Sequence, residues 1–313
     1  MKRLIIIDGN AILHRAFHAL PPLTAPNGQV VNAVYGFTSM LLRLVSDLTP
    51  TYVAVAFDRP APTFRKQLYA DYQIKRPKMD EGLATQIPLV HTVVETMHLP
   101  IFEIDGFEAD DVIGTICNKE QKNMDQIIVV TGDKDLLQLV TDKIKLYMPT
   151  KGLSEAKLYG IKETMERLDV FPEQIPDFKA LAGDSSDNYP GVPGIGPKTA
   201  SDLLHTYPSI NALYTHIEKA NVSEGVKEKL KKNKELAFLS KELATIKQDV
   251  PISVNIHPLT AAQFTSEKVM AMLQTFGFHS LIKRMQSPGS EDTKKEKKKQ
   301  ERKQAIDTQM SLL

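Results

Sequence analysis

The sequence lacks the features of a secreted or membrane-bound protein. Its 313 residues include one cysteine, Cys117, so no disulfide can form within the chain, which fits a reducing compartment. Apolar neighbours at helical spacing predict that Cys117 is a small core residue rather than a nucleophile. The first apolar run, Leu4–Ile7, ends at Asp8, too early for a signal peptide. No stretch approaches the ~18 apolar residues of a membrane span. We therefore expect a cytoplasmic protein without membrane contact.

The sequence also lacks a surplus of either charge. Its 39 basic and 38 acidic residues give a net charge of +1, whereas nucleic-acid-binding proteins usually carry a basic excess. The charges are nevertheless segregated, with many acids in short loops after apolar runs and many bases in separate blocks. The hydrophobic and charged fractions, 42% and 25%, are ordinary for a globular protein.

Short apolar segments alternate with helical patterns in the first half of the chain. Apolar residues at helical spacing cover Asn32–Leu48 and Ala84–Met97. This alternation predicts an α/β domain over residues 1–170, with a mostly parallel sheet and helices on both faces. The predicted strands are rich in β-branched residues and apolar on both faces. They are Leu4–Ile7, Tyr52–Phe57 and Gln126–Thr131.

The pattern changes after Pro172, where strand signals disappear and short helices dominate. We predict a second, mostly helical domain over residues 171–285, containing a glycine-rich turn at Gly191–Lys198. Residues 286–313 are predicted to be a disordered, charged linker with an apolar end. The predicted helices of the second domain are Ile175–Ala182, Pro197–His205, Ser209–Tyr214 and Lys234–Thr245.

Acidic residues follow each of the three predicted strands. Asp8 follows the first strand, Asp58 follows the second, and Asp133 and Asp135 follow the third. In open α/β sheets, ligands bind beyond the carboxyl ends of the strands. We therefore expect these four carboxylates to converge.

Two further acidic clusters lie outside the predicted strands. Glu108, Asp110 and Asp111 open a predicted helix, where one or two acids would simply complement the helix dipole. Asp184 and Asp187 stand three residues apart in the second domain, so one turn of helix would place both on one face.

Nine carboxylates in one place would repel each other and shift each other's pKa values unless cations neutralised them. Oxygen ligands without histidine or cysteine favour hard ions such as Mg²⁺ or Mn²⁺. Two such ions about 3.5–4 Å apart can activate water and stabilise the leaving oxygen of a phosphodiester. Any single acid can be a surface residue, but the set predicts a two-metal site.

The motifs that carry these acids match a known family in content and order. Over residues 1–250 the chain resembles the 5′-nuclease domain of bacterial DNA polymerase I, a member of the flap endonuclease superfamily. The matching stretches are Ile7–Asn10, Phe57–Asp58, Thr63–Arg65, Gly106–Gly114, Thr131–Asp135, Gly183–Asn188 and Pro190–Gly196.

The resemblance implies a PIN-like nuclease domain followed by a helix-hairpin-type (H3TH) DNA-binding domain. The family removes RNA primers and displaced flaps, so we expect a stand-alone, monomeric 5′–3′ exonuclease and 5′-flap endonuclease. Its substrates would be DNA with 5′ ends or flaps and RNA primer–DNA junctions. Two Mg²⁺ ions would serve as cofactors, with Mn²⁺ as a substitute. The implied ligands of the first ion are Asp8, Asp58, Glu108, Asp110 and Asp111, and those of the second are Asp133, Asp135, Asp184 and Asp187.

Residues 59–78 interleave basic and aromatic side chains, a composition that suits single-stranded nucleic acid but also a solvated helix face. In the family this region forms the arch through which the 5′ strand passes. The family usually has a lysine after the tyrosine, whereas this chain has Gln73, which cannot supply that charge. Arg76 is also expected among the catalytic residues. The predicted DNA contacts are Arg15, Phe64, Arg65, Tyr72, Lys75 and Arg76.

Backbone N–H groups of a glycine turn that leads into a helix can hold a phosphate, although the same turn also occurs as plain helix packing. In the family this turn grips duplex DNA without reading its sequence. Here the contacts would come from Gly194, Gly196 and Lys198. The family turn also binds K⁺ through backbone carbonyls, here those of Val192, Gly194 and Ile195.

Two other functions stay open. The first is a PIN-type ribonuclease, which the glycine turn argues against because such an enzyme would not need a duplex clamp. The second is a DNA-binding homologue with weakened catalysis, which the presence of all nine acids argues against.

The apolar end of the chain resembles the short peptide by which bacterial replication proteins dock onto the sliding clamp. The residues concerned are Gln309, Met310, Leu312 and Leu313, and chance leucines in a frayed tail are the alternative. The nuclease of this family is usually fused to a polymerase, so a stand-alone enzyme would need another tether to the primer junction. We therefore expect the sliding clamp as a partner.

Overall fold

A six-stranded sheet with the order β3-β2-β1-β4-β5-β6 forms the centre of the computed structural model, which describes residues 1–151 and 155–286. All neighbouring strands are parallel except β5 and β6, which are antiparallel. The predicted α/β class with a mostly parallel sheet is therefore confirmed. The strands are β1 (Arg3–Asp8), β2 (Tyr52–Ala56), β3 (Ile101–Phe102), β4 (Gln126–Val130), β5 (Ile144–Lys151) and β6 (Glu155–Tyr159).

The three predicted strands are the adjacent central ones. Ile5 of β1 lies opposite Val53 of β2 and Ile128 of β4, and all three are buried. Helices cover both faces of these strands, so their sequences are continuously apolar. The other three strands, β3, β5 and β6, were not predicted; β3 has only two residues and most of β6 is exposed.

Helices of the first domain surround this sheet. The boundaries of α2 were predicted correctly. The predicted helix Ala84–Met97 corresponds to α5, which begins three residues later and has Pro88 in its first turn, a position where proline favours a helix start. The helices are α1 (Gly9–Ala19), α2 (Asn32–Leu48), α3 (Phe64–Leu68), α4 (Glu81–Ala84), α5 (Ile87–Thr96), α6 (Ala109–Glu120) and α7 (Ile161–Leu168).

The helical region that follows confirms the four predicted helices to within one residue at each end. A fifth helix, α11, was missed because its sequence is dominated by lysine and glutamate and buries only Leu230. The apolar core of this region is continuous with the side of the sheet that carries Leu4 and Ile6. The helices are α8 (Ile175–Ala182), α9 (Pro197–Thr206), α10 (Ile210–Thr215), α11 (Glu224–Lys232) and α12 (Lys234–Ala244).

The last helices pack against the core of the first domain, and the predicted domain over 171–285 stays a prediction. These helices are α13 (Ala262–Thr265), α14 (Glu267–Thr275) and α15 (His279–Gln286). Val269 and Leu273 of α14 are fully buried in the same apolar cluster as Ile5 and Val53. The sequence pattern of α14 shows an apolar face but not which domain that face contacts.

An extended segment makes this return possible. Beyond α12 the chain crosses α6, where the Val250 N–H donates to the Thr115 hydroxyl at 3.1 Å and Lys119 Nζ donates to the Ile252 carbonyl at 2.7 Å. It then reaches β2, where the Leu259 N–H donates to the Thr51 carbonyl at 2.7 Å.

Within the described ranges, no helix is both long and apolar enough to cross a membrane. The predicted linker from residue 287 onward and the docking peptide Gln309–Leu313 lie outside the described residues.

Candidate active site

The carboxyl ends of the central strands open into a cleft of about 1490 Å³. Because β2, β1 and β4 are parallel neighbours, the acids that follow them emerge at one edge of the sheet. The cleft brings together most of the predicted carboxylates, while Asp111 and Asp184 lie outside its lining. The acids that line it are Asp8, Asp58, Glu108, Asp110, Asp133, Asp135 and Asp187.

Asp8 is fixed at the end of β1 by two hydrogen bonds. Its Oδ1 caps α1 by accepting from the Ala11 N–H at 3.0 Å, and its Oδ2 accepts from the Thr131 hydroxyl at 2.6 Å. The same hydroxyl accepts from the Asp133 N–H at 2.9 Å. Thr131 therefore couples the acids that follow β1 and β4, a role that sequence reasoning did not give it.

Asp58 connects the end of β2 to two helices. Its Oδ1 accepts from the Ala109 N–H at 2.7 Å, at the first residue of α6. Its own N–H donates to Asn10 Oδ1 at 2.9 Å, on α1. These bonds fix Asp58 relative to the start of α6, where Glu108 and Asp110 enter the cleft.

Asp111, predicted to be a ligand of the first ion, lies outside the lining of the cleft. Its side chain is fully buried, and Arg65 binds both of its oxygens, at 2.7 Å and 2.8 Å. The N–H groups of Lys247 and Glu108 also donate to these oxygens, at 2.8 Å and 3.1 Å. Arg65, predicted to contact DNA, lines the cleft, and its guanidinium is bonded to Asp111 and to the carbonyls of Leu243 and Thr245.

Burial strongly perturbs the acids of the cleft. It raises the pKa of Asp8 and of Glu108 to about 7 and the pKa of Asp135 to about 6. Burial, with repulsion from Asp133 and Asp8, also raises the pKa of Asp110 well above its ordinary value. Carboxylates this close in a buried site require either protons or cations, and an oxygen-only set of this kind fits Mg²⁺ or Mn²⁺.

Asp135, Asp184 and Asp187 form a second group, whose carboxylate oxygens lie within 4.8 Å of one another. Asp184 and Asp187 sit on a tight hairpin rather than on the predicted helical turn. Gly183 and Gly191 close the hairpin with φ of 73° and 60°, and a Cβ on Gly191 would lie 2.3 Å from the Gly183 nitrogen. Only glycine fits this approach.

The predicted single-strand contacts separate into two sets. Arg15 of α1 lines the cleft together with Arg65 and Arg76 of residues 59–78, but Phe64 and Lys75 do not. Tyr72 lines it yet is only 2% exposed, so it offers no open face on which a base could stack.

Tyr72 and Gln73 are tied to the second domain by hydrogen bonds to Asp187. The Tyr72 hydroxyl donates to Glu108 Oε2 at 3.3 Å and to Asp187 Oδ2 at 3.2 Å. The Gln73 amide donates to Asp187 Oδ1 at 3.0 Å. The residue at the usual lysine position therefore contacts one of the carboxylates.

The glycine turn leads directly into α9, whose N-cap is Gly196. Two of the carbonyls predicted to bind K⁺ already accept hydrogen bonds: Val192 from the Ile195 N–H at 3.0 Å, and Gly194 from Lys229 Nζ at 3.3 Å. Lys198 is exposed and forms an ion pair with Asp202 at 2.7 Å.

Comparison with known proteins identifies both parts of the chain. Residues 3–169 match the model of the 5′-3′ exonuclease N-terminal resolvase-like domain, and residues 170–267 match that of the 5′-3′ exonuclease C-terminal SAM fold.

The chain belongs to the 5′-3′ exonuclease family.

Curated relatives of this exonuclease include two bacterial DNA polymerases I. The Caldicellulosiruptor bescii protein is 40% identical over 285 residues, and the Bacillus subtilis protein is 39% identical over 290 residues. These alignments cover 90% and 93% of this chain but 33% of each relative, so the chain spans about a third of their length.

Solved structures show the same fold. The T5 5′-exonuclease with bound zinc superposes with a TM-score of 0.66 at 21% identity, covering 88% of this chain and 98% of that chain. Human GEN1 in complex with Holliday junction DNA has a TM-score of 0.52 at 14% identity, covering 92% of this chain and 75% of that chain. The predicted resemblance, and with it the class of hydrolytic nuclease, is confirmed.

The buried ion pair yields a stability prediction. Arg65→Met leaves the Asp111 charge buried without its partner, so it should lower the free energy of unfolding by about 3–5 kcal/mol, measured by urea denaturation. Arg59→Met is the matched control. Arg59 pairs with Glu103 and Asp105 on the exposed surface, where ion pairs contribute little, so its unfolding midpoint should stay close to that of the wild type. Equal losses in both variants would contradict the structural role of Arg65.

The raised pKa values yield a pH prediction. Since the pKa values of Asp8 and Glu108 are about 7, the folded exonuclease near pH 6 holds protons that the unfolded chain has already lost. Without metal, these groups make folding less favourable as pH rises from about 5 to 8. A divalent ion must displace the protons at the lower pH but not at the higher. The gain in Tm from Mg²⁺ over EDTA should therefore be larger at about pH 8 than at about pH 6, and a calorimetric gain that shrinks with pH would contradict it.

Proposed function

We propose that this exonuclease hydrolyses DNA phosphodiesters at 5′ ends and 5′ flaps, with RNA primer–DNA junctions among its substrates. One observation carries the proposal: seven carboxylates line one cleft, and Arg15 and Arg76 lie on its wall. The acids suit metal ions, and the arginines suit the phosphates that would approach them. A T5 flap endonuclease of the same fold was solved as a pseudo-enzyme-product complex with DNA and metal ions, which supports this substrate class.

The metal groups of the proposal follow the geometry of the cleft. Mg²⁺ is proposed as the cofactor, with Mn²⁺ as a substitute; two bound ions would activate water and stabilise the leaving oxygen. Asp111 is not among the proposed metal ligands, because Arg65 donates a hydrogen bond to each of its carboxylate oxygens. The proposed ligands are Asp8, Asp58, Glu108 and Asp110 for the first ion and Asp133, Asp135, Asp184 and Asp187 for the second.

Arg76 is proposed to bind the scissile region of the substrate. Its charge already acts on Asp58, whose pKa burial raises and Arg76 lowers, so the guanidinium lies close to the first metal group. Gln73 is neutral and bonded to Asp187. Arg76 would therefore neutralise phosphate charge that the family's lysine otherwise supplies.

Duplex DNA is proposed to bind the turn at Gly194 and Gly196, with Lys198 adding charge. Backbone N–H groups at the start of a helix favour a phosphate of any sequence. K⁺ is proposed in the same turn, where it would replace the Lys229 ammonium at the Gly194 carbonyl. This duplex-binding element favours a DNA nuclease over a ribonuclease that acts on RNA alone.

Loss of a metal ligand tests the function. Asp110→Asn and Asp133→Asn should each abolish Mg²⁺-dependent cleavage of a labelled 5′-flap duplex while largely retaining DNA binding, because each removes a ligand of an ion but no DNA contact. Asp47→Asn is the control, since Asp47 is an exposed carboxylate of α2 that pairs with Arg43. Wild-type cleavage rates in either cleft variant would refute the proposal.

The sliding clamp is proposed as a partner through Gln309, Met310, Leu312 and Leu313. A short apolar peptide on a charged tether raises the local concentration of an enzyme at its junction. Full-length protein should bind the cognate clamp, and a variant lacking residues 309–313 should bind at least about tenfold more weakly, a difference of about 1.4 kcal/mol. Titration by calorimetry measures both. Equal affinities, or no binding by either, would end the clamp proposal and leave the nuclease untouched.

A further inference from the structure

Lys179 lies inside the second carboxylate group. It is on α8, in the turn before Asp184, and its ammonium forms ion pairs with Asp135 Oδ1 and Asp184 Oδ2. The Lys179 side chain is 13% exposed, so water does little to solvate this charge. Because the oxygens of the group lie within 4.8 Å of one another, an ammonium that contacts two of them occupies the space a divalent ion would need.

Tyr189 indicates independently that this space is built for a polar occupant. Its side chain is 2% exposed, and its hydroxyl has no hydrogen-bond partner among the described residues. Tyr189 pairs directly with Asp184 across the hairpin through backbone hydrogen bonds of 2.8 Å and 3.0 Å, so the two residues lie side by side. A buried hydroxyl without a partner is costly, so an occupant that brings a polar atom, such as a hydrated ion, would satisfy it.

A neighbouring lysine shows what a purely structural pair looks like. Lys241 on α12 pairs with the single carboxylate of Asp177 at 2.6 Å, and the same Asp177 oxygen accepts from the Ile210 N–H at 3.1 Å. Asp177 stays within the second domain and outside the cleft. Lys179 instead bridges Asp135 of the first domain and Asp184 of the second, both of them proposed metal ligands.

We propose that the Lys179 ammonium is the resident cation of the Asp135–Asp184–Asp187 group and competes directly with the divalent ion for it. At the first group, by contrast, Arg65 pairs mainly with Asp111, at 2.7 Å, and contacts a single proposed ligand, Glu108, at 3.3 Å. The second position therefore fills at a higher metal concentration than the first. The inference rests on the proposed function only in treating these acids as metal ligands.

Removal of the ammonium tests the competition directly. Full-length Lys179→Met should bind its second Mn²⁺ at least about tenfold more tightly than the wild type, with the first affinity little changed, because the competing charge is gone. Free Mn²⁺ counted by electron paramagnetic resonance gives both affinities. Lys241→Met, which removes a lysine from an ion pair outside the group, should bind Mn²⁺ like the wild type. Equal second-site affinity in the wild type and in a folded Lys179→Met would overturn the proposal.

A second measurement needs no mutation, so it decides the matter even if Lys179→Met does not fold. Lys179 in the wild type should react slowly with an amine-acetylating reagent in EDTA and several-fold faster in saturating Mn²⁺, because the ion expels the ammonium. Peptide mass spectrometry quantifies the modification, and Lys241 provides the internal control. Unchanged acetylation of Lys179 in saturating Mn²⁺ would overturn the proposal.

Cleavage of a 5′-flap duplex by the wild type in Mg²⁺ separates this inference from the proposed function. If the wild type cleaves but Lys179 stays protected in saturating Mn²⁺, the inference fails and the function stands. If Mn²⁺ binds and Lys179 becomes reactive but no flap or 5′ end is cut, the function fails and the competition stands.

Discussion

The buried contact between Arg65 and Asp111 fixes the parts of the molecule that carry the active site. Arg65 belongs to α3, Asp111 to the first turn of α6, and the carbonyls of Leu243 and Thr245 that share the guanidinium to the end of α12. A buried ion pair contributes stability only when every charge and lone pair is matched, as here. One guanidinium thereby sets the position of the α6 N-terminus, and with it Glu108, relative to both other parts.

That rigidity is needed because the cleft is electrostatically unfavourable in itself. Burial raises the pKa values of Asp8, Glu108 and Asp135, so the carboxylates favour protons or cations over free charge. Hydrogen bonds from Thr131 to Asp8 and from Ala109 to Asp58 hold the acids in place against this repulsion. The net charge of the chain is nearly neutral because the acids concentrated in the cleft offset basic residues elsewhere.

The sequence was informative where local pattern and burial agree. β1, β2 and β4 and helix α2 were predicted because their apolar patterns match their burial, and the parallel order then brought the acids that follow the strands together. The sequence pattern could not show which of Asp110 and Asp111 faces the cleft. They are adjacent and chemically identical, and only the phase of α6, set by Arg65 and by a backbone 136 residues away, decides which one enters the cleft. Nothing in the sequence around Lys179 predicts its place in the site, because its partner Asp135 belongs to the other domain.

The return of the chain to the first domain explains how acids from two domains can share one site. The chain passes into the second domain after α7 and returns through the segment that crosses α6. Both connections of the second domain are therefore anchored on the first domain. Burial of Leu273 and Val269 against the sheet secures the end of that segment. A hinge motion that separated Asp184 and Asp187 from Asp135 would have to release Val250 from Thr115 as well as Lys179 from Asp135. Such a motion would therefore break contacts both at the exit of the second domain and inside the second carboxylate group.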